Sequence, residues 1–242
     1  MKPVLSVSGL TKHFGGLQAL GGVSFNVQPG EVVGVIGPNG AGKTTMFSVL
    51  TGQIRASAGS VRLDGVEVAG LPAHRIAALG MVKTFQNVAL FLDATVLDNI
   101  LVAALLRRPR VRDARILARA TLDRCGLAHL ADQRAGDLTF PDRARIEVAR
   151  ALSTEPRVLL LDEAMASLNP VEMDTQLALI RSLRDGGLTI LVVEHHMRAI
   201  MSLCDRVLVL CFGVPIALGT PAEVARDPEV IRAYLGQDAH LA

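Results

Sequence analysis

Aromatic side chains and thiols are scarce in this chain of 242 residues, which has no tryptophan, one tyrosine and three cysteines. Cys125, Cys204 and Cys211 are odd in number and lack C-x-x-C spacing, which excludes a disulfide framework and fits core thiols in a reducing compartment. A marked excess of either charge is missing too. The 25 basic and 23 acidic residues leave a net charge of +2, so no strong field points to nucleic acid or an anionic membrane. Lysine is confined to Lys2, Lys12, Lys43 and Lys83, an arginine-heavy balance that reads as genomic base composition. The cluster of Arg107, Arg108, Arg110, Arg112, Arg115, Arg119 and Arg124 is interrupted by Asp113 and Asp123 and has no interleaved aromatics. It reads as a solvated helix face in preference to a nucleic-acid surface.

Long hydrophobic runs are also absent. Half of the residues are hydrophobic and mean hydropathy is +0.38, yet stretches such as Val207 to Phe212 and Val214 to Leu218 are far too short to span a bilayer. Met1 to Leu10 shows no signal-peptide pattern, and no repeat or low-complexity segment is visible. The apolar excess is therefore expected in the core and on partner surfaces. The length suits one α/β domain with an insertion.

Gly37-Pro38-Asn39-Gly40-Ala41-Gly42-Lys43-Thr44 satisfies G-x-x-x-x-G-K-[ST], with an apolar strand, Val32 to Ile36, before it and a helix, Thr45 to Thr51, after it. Glycines let successive backbone N–H groups turn inward on phosphate oxygens, and the helix N-terminus adds partial positive charge. Lys43 is expected to reach the β- and γ-phosphates and Thr44 to hold Mg²⁺. A plain glycine turn requires neither residue. Val158-Leu159-Leu160-Leu161-Asp162-Glu163 reads as a buried parallel strand ending in two carboxylates at the nucleotide crevice. Asp162 is expected to bind the metal through water, and Glu163 to orient or deprotonate the attacking water.

Strands are expected at Val4 to Val7, Val23 to Val27, Val32 to Ile36, Ser60 to Leu63 and Val66 to Val68. Helical patterning follows over Leu97 to Leu106, Val111 to Arg124 and Arg143 to Leu152. Strand and helix then alternate: Val158 to Leu161, Val171 to Arg184, Thr189 to Val193, a helix from Met197, and Arg206 to Leu210. Short helices are expected at Pro221 to Ala225 and Pro228 to Leu235.

In this order and spacing the chain resembles the ATP-binding cassette proteins along essentially its whole length. Phe14 stands where the family places an aromatic that stacks on adenine. Gln86 matches the glutamine that joins the helical subdomain and reaches the metal. His195 in Glu194-His195-His196-Met197 matches the switch histidine, and Ala164 to Asn169 match the loop that crosses the dimer interface. The resemblance implies a P-loop NTPase (RecA-like) core with an N-terminal antiparallel β subdomain and an inserted α-helical subdomain, divided as 1–86 and 156–242 for the core and 87–155 for the insertion. It implies nucleotide contacts from Phe14, residues Gly37 to Thr44 with Thr45, Gln86 and Asp162. It implies a metal site of Thr44, Gln86 and Asp162, and catalysis by Lys43, Glu163 and His195.

Within that family the chain is most similar to ATPase subunits of branched-chain amino-acid importers, through Thr84-Phe85-Gln86-Asn87, Cys204-Asp205-Arg206 and Ala233-Tyr234-Leu235-Gly236. The implied cofactors are ATP and Mg²⁺. The implied partners are a second ATPase, two transmembrane permease subunits and an extracytoplasmic substrate-binding protein, at the cytoplasmic face of the membrane and without nucleic acid. The alternatives are a cassette ATPase acting outside transport and a regulatory subunit that binds ATP with little turnover.

One segment departs from the family pattern. Where a Leu-Ser-Gly-Gly-Gln-like signature is expected, the chain reads Leu138-Thr139-Phe140-Pro141-Asp142. Thr139 keeps a hydroxyl, Pro141 has no N–H to give, and Asp142 places a carboxylate near a polyphosphate. Thr139-x-x-Asp142 also reads as a capping box with Pro in the first turn. Both readings are compatible, and the resemblance then implies a heterodimer with one degenerate site. Finally, Leu90, Phe91 and Leu92 read either as a docking cluster for the membrane subunits or as a small satellite core.

Overall fold

A strand that is apolar at every position needs cover on both faces, and such strands form the middle of this protein. The computed structural model describes residues 2–84, 89–166 and 168–235. The chain runs β1 (Leu5–Phe14), β2 (Leu17–Val27), β3 (Val32–Ile36), α1 (Lys43–Leu50), β4 (Ala58–Leu63), β5 (Val66–Glu67), α2 (Ala73–Leu79) and β6 (Met81–Lys83). Three helices follow, α3 (Val96–Ala104), α4 (Val111–Arg124) and α5 (Phe140–Leu152). The rest is β7 (Val158–Asp162), α6 (Pro170–Asp185), β8 (Thr189–Val193), α7 (Met197–Leu203), β9 (Arg206–Cys211), β10 (Val214–Gly219), α8 (Pro221–Val224) and α9 (Pro228–Leu235).

Six strands form one sheet in the order β10-β9-β3-β8-β7-β6, parallel except for β10. The other four form an antiparallel sheet, β2-β1-β4-β5. Alternation along each central strand divides the core. Val33, Val35, Leu160, Leu191 and Leu208 face the antiparallel sheet and α1. Ile36, Leu161, Ile190, Val192 and Val209 face the helical side, where α3 to α6 pack. Register sets the functional edge: Val35 pairs with Val193 and Val193 with Asp162. The residues that leave β3, β7 and β8 therefore emerge side by side.

The expected α/β fold with an N-terminal antiparallel sheet and an inserted helical segment is the one adopted. Differences lie where signals are short. α2 buries only Ile76, β6 is three residues long, and β10 carries Pro215 at a sheet edge, where a missing N–H is tolerated. β1 and β2 run longer than their apolar cores because register shifts after Val7 and Leu10 break the alternation. Cys125 and Cys204 are buried as expected, and Cys211 is half-buried.

Helix starts reveal a rule of reach. Asn169 on α6 and Thr220 on α8 form full capping boxes with Glu172 and Glu223. Thr139 on α5 faces an aspartate, and the box is incomplete. The Asp142 N–H meets Thr139 Oγ1 at 3.4 Å, while the carboxylate accepts from the Thr139 hydroxyl at 2.9 Å. Thr95 and Asp98 on α3 do the same. Aspartate is one methylene too short to reach the N-cap amide, so the expected box at Thr139 is only a half box. Replacing the full cap by Asn169→Ala is expected to lower unfolding free energy by about 1 kcal/mol, read as a lower urea midpoint with an unchanged slope.

Candidate active site

The loop after β3 is shaped by close backbone neighbours. Gly37 has φ 151° and a Cβ there would strike the Leu210 carbonyl of β9. Gly42, the N-cap of α1, has φ 98°, and its Cβ would lie 2.6 Å from the Ala19 carbonyl. Both positions demand glycine. Pro38 and Ala41 are buried, whereas Asn39, Gly40 and Thr44 are exposed and Thr45 is half-buried. Lys43, buried at the start of α1, donates to the carbonyls of Gly37 at 2.7 Å and Pro38 at 3.0 Å. Burial pulls its pKa down, opposed by the charges of Glu163 and Asp162. The lysine and both carboxylates thus share one electrostatic neighbourhood.

Asp162 ends β7 and is buried. Its N–H donates to Thr84 Oγ1 at 3.2 Å, and Oδ2 pairs with Lys83 Nζ at 3.3 Å. Oδ1 is buried with no hydrogen-bond partner among the described residues. Burial raises the Asp162 pKa, and Lys83 opposes that rise. The unmatched oxygen, close to Lys43 at the start of α1, suits a hard cation with oxygen ligands. No cluster of three or more His, Cys, Asp or Glu side chains is present among the described residues, so such a cation needs further ligands from its anion and water.

Glu163 occupies the left-handed region at φ 53°, a conformation that costs a non-glycine residue about 1–2 kcal/mol. Its N–H donates to Val193 O at 3.0 Å, and its Oε1 lies 2.6 Å from His195 Nε2. Glu163 and His195, both expected at the site, are thus in direct contact. Beside it, buried Glu194 accepts the Met165 N–H at 2.8 Å through Oε1, and Oε2 lies 3.4 Å from His196 Nδ1. Burial raises the Glu194 pKa, with the Met165 amide acting against it.

Phe14 is exposed at the end of β1, with Lys12 Nζ 4.7 Å from its ring centroid. Gln86, with its neighbours 85–88, lies outside the described residues. Leu138 is buried, while Thr139 and Phe140 are exposed. Asp142 Oδ1 is 3.9 Å from Arg145, and among the described residues no hydrogen bond or ion pair joins this segment to the phosphate loop of the same chain. Leu90 joins the core, leaving Phe91 and Leu92 exposed. Sequence reasoning missed the roles of Lys83 and Glu194, because each meets its partner only in the folded chain.

A family model described as ABC transporter matches residues 20–166, and one described as branched-chain amino acid ATP-binding cassette transporter matches residues 214–240. The chain is 44% identical to the high-affinity branched-chain amino acid transport ATP-binding protein BraF of Pseudomonas aeruginosa, over 98% of this chain and 99% of that protein. It is 43% identical to the corresponding LivG of Escherichia coli, with the same coverage. Among solved structures it is similar to the ADP conformation of MJ1267, an ATP-binding cassette of an ABC transporter. The TM-score is 0.87 at 29% identity, over 98% of this chain and 100% of that one.

The buried Glu194 carboxylate gives a pH prediction. Its folded pKa is raised, so the folded state holds the proton more tightly, and stability from this group is present at acid pH and lost as pH rises through the folded value. Glu194→Gln keeps an acceptor without the charge. Its unfolding free energy should exceed that of the unmodified chain at about pH 7, with the gap closing toward about pH 4, as urea melts at both values would record.

Proposed function

The chain belongs to the family of ABC transporter ATP-binding proteins and is an ATPase, and from that premise we propose that it drives a prokaryotic importer of branched-chain or related hydrophobic amino acids. The observation that carries the reading is the meeting of Lys43, Asp162, Glu163 and His195 where β3, β7 and β8 end together. The loop from Gly37 to Thr44 wraps the phosphates with backbone N–H groups, at a helix end that favours negative charge. Lys43 exchanges the two loop carbonyls for the β- and γ-phosphates. Glu163 takes a proton from the attacking water, and His195 holds that carboxylate and contacts the γ-phosphate. Thr44 and Asp162, with Gln86, would hold Mg²⁺, which would neutralise charge on the phosphates. Phe14 stacks on the adenine.

The division into a core of 1–86 and 156–242 and a helical subdomain of 87–155 fits this role, because the insertion carries the signature segment to a partner ATPase. At that segment Thr139 gives its hydroxyl to Asp142, Pro141 offers no N–H, and Arg145 at 3.9 Å only partly offsets the carboxylate. The segment is a poor clamp for a partner's ATP, which supports a heterodimer with one weakened site. The same feature favours the second reading, a subunit that binds ATP with little turnover; the assembled Glu163–His195 pair favours hydrolysis.

Phe91 lines a groove of about 320 Å³ with Val82, Val102, Ala103 and Arg150, and this supports docking to the permease subunits at the cytoplasmic membrane face. A substrate-binding protein completes the importer. No described helix is long and apolar enough to cross a membrane.

Lys43→Ala is expected to weaken MgATP binding about ten- to hundredfold, since it removes a charged hydrogen bond worth roughly 1.5–3 kcal/mol. Glu163→Gln should keep calorimetric affinity and lower hydrolysis about 10²- to 10⁴-fold. Full turnover by Glu163→Gln is the result that ends the catalytic assignment. Phe91→Asp should abolish co-purification with the permease subunits while leaving the melting curve in place, and retained assembly would remove the docking claim.

A further inference from the structure

Buried carboxylates normally serve a charge partner or a reaction; Glu194 has only the longer 3.4 Å contact with His196 Nδ1 and no part in the mechanism above. It is almost fully buried at the end of β8 and spends its better hydrogen bond on a backbone amide in another loop, Met165 N–H at 2.8 Å. We propose that Glu194 is a positioning residue that ties the segment bearing His195 to the loop bearing Glu163 and so holds the catalytic carboxylate in its strained conformation. This rests on the ATPase reading and concerns how its base is held.

The two segments are laced together at successive residues. Glu163 N–H reaches Val193 O at 3.0 Å, Met165 N–H reaches Glu194 Oε1 at 2.8 Å, and His195 Nε2 reaches Glu163 Oε1 at 2.6 Å. The turn is closed from inside by Ala166 N–H on Glu163 O at 3.0 Å. Met165 itself is fully buried in the core on the helical side, so its Cα is held by a side chain below and by Glu194 across. A residue in the left-handed region persists only where its surroundings over-determine it. Glu163, two residues from the tether, meets that condition through these contacts.

The alternative is that Glu194 merely satisfies a buried amide. Two near-isosteric variants separate the cases. Glu194→Gln retains an acceptor for Met165 N–H, whereas Glu194→Met fills the space and accepts nothing. In the full chain assembled with its partner ATPase, Glu194→Met should lose hydrogen-exchange protection at the Met165 amide and lower kcat about ten- to hundredfold, the size of a lost bond to a charged group. KM and calorimetric MgATP affinity should stay within about twofold, because the phosphate loop is untouched. Glu194→Gln should retain protection and keep kcat within about threefold.

An unchanged kcat in Glu194→Met overturns the proposal, as does an equal fall in both variants or a rise in KM in place of the fall in kcat. If Glu194→Met does not fold, a folded Glu194→Gln with a tenfold lower kcat overturns it alone. Failure of the ATPase reading looks different: the unmodified chain assembled with its partner ATPase then neither binds nor hydrolyses MgATP, and Met165 exchange still reports on the tether.

Discussion

Two backbone carbonyls decide where the phosphate loop lies. Leu210 O stands against residue 37 and Ala19 O against residue 42, so both positions exclude a Cβ and the loop is clamped between β9 and β2. That clamp aims the start of α1 into the crevice and brings Lys43 back over its own loop, where it caps the carbonyls of Gly37 and Pro38. The ammonium is desolvated there. A charge held in low dielectric interacts more strongly than one in water.

The second half of the site depends on strain. Glu163 is held in the left-handed region, and the contacts between residues 163–165 and 193–195 offset that cost. The same contacts set the carboxylate beside His195. Register places both segments at one edge: Val35, Val193 and Asp162 are level across the sheet, so the loops that leave those strands are neighbours by construction. The fold thus brings the Lys43 ammonium and the Asp162 and Glu163 carboxylates to one place from segments more than a hundred residues apart.

Much of this was legible in the sequence where chemistry is written locally. Gly37 to Thr44, Asp162-Glu163 and His195 each follow an apolar strand, and strand-then-loop patterning places such residues at a sheet edge. The boundaries of β3, α4 and β8 follow directly from their apolar spacing. What escaped was short or distant. α2 buries a single large residue and β6 spans three, too little for any period to register. The Lys83–Asp162 pair and the Glu194 tether join residues far apart in the chain, and neither leaves a local pattern. At Thr139 the pattern was visible but its geometry was not, because the difference between aspartate and glutamate is one of reach.

On the function proposed above, the loop from Gly37 to Thr44 is the nucleotide cradle and Lys43 is its mobile cation. A crystal structure of the full chain with Mg²⁺ and a non-hydrolysable ATP analogue tests it most directly. The Lys43 ammonium should leave the Gly37 and Pro38 carbonyls for the β- and γ-phosphates, with the loop amides turned onto the same oxygens. A nucleotide seated elsewhere, with Lys43 still bonded to those two carbonyls, would contradict it.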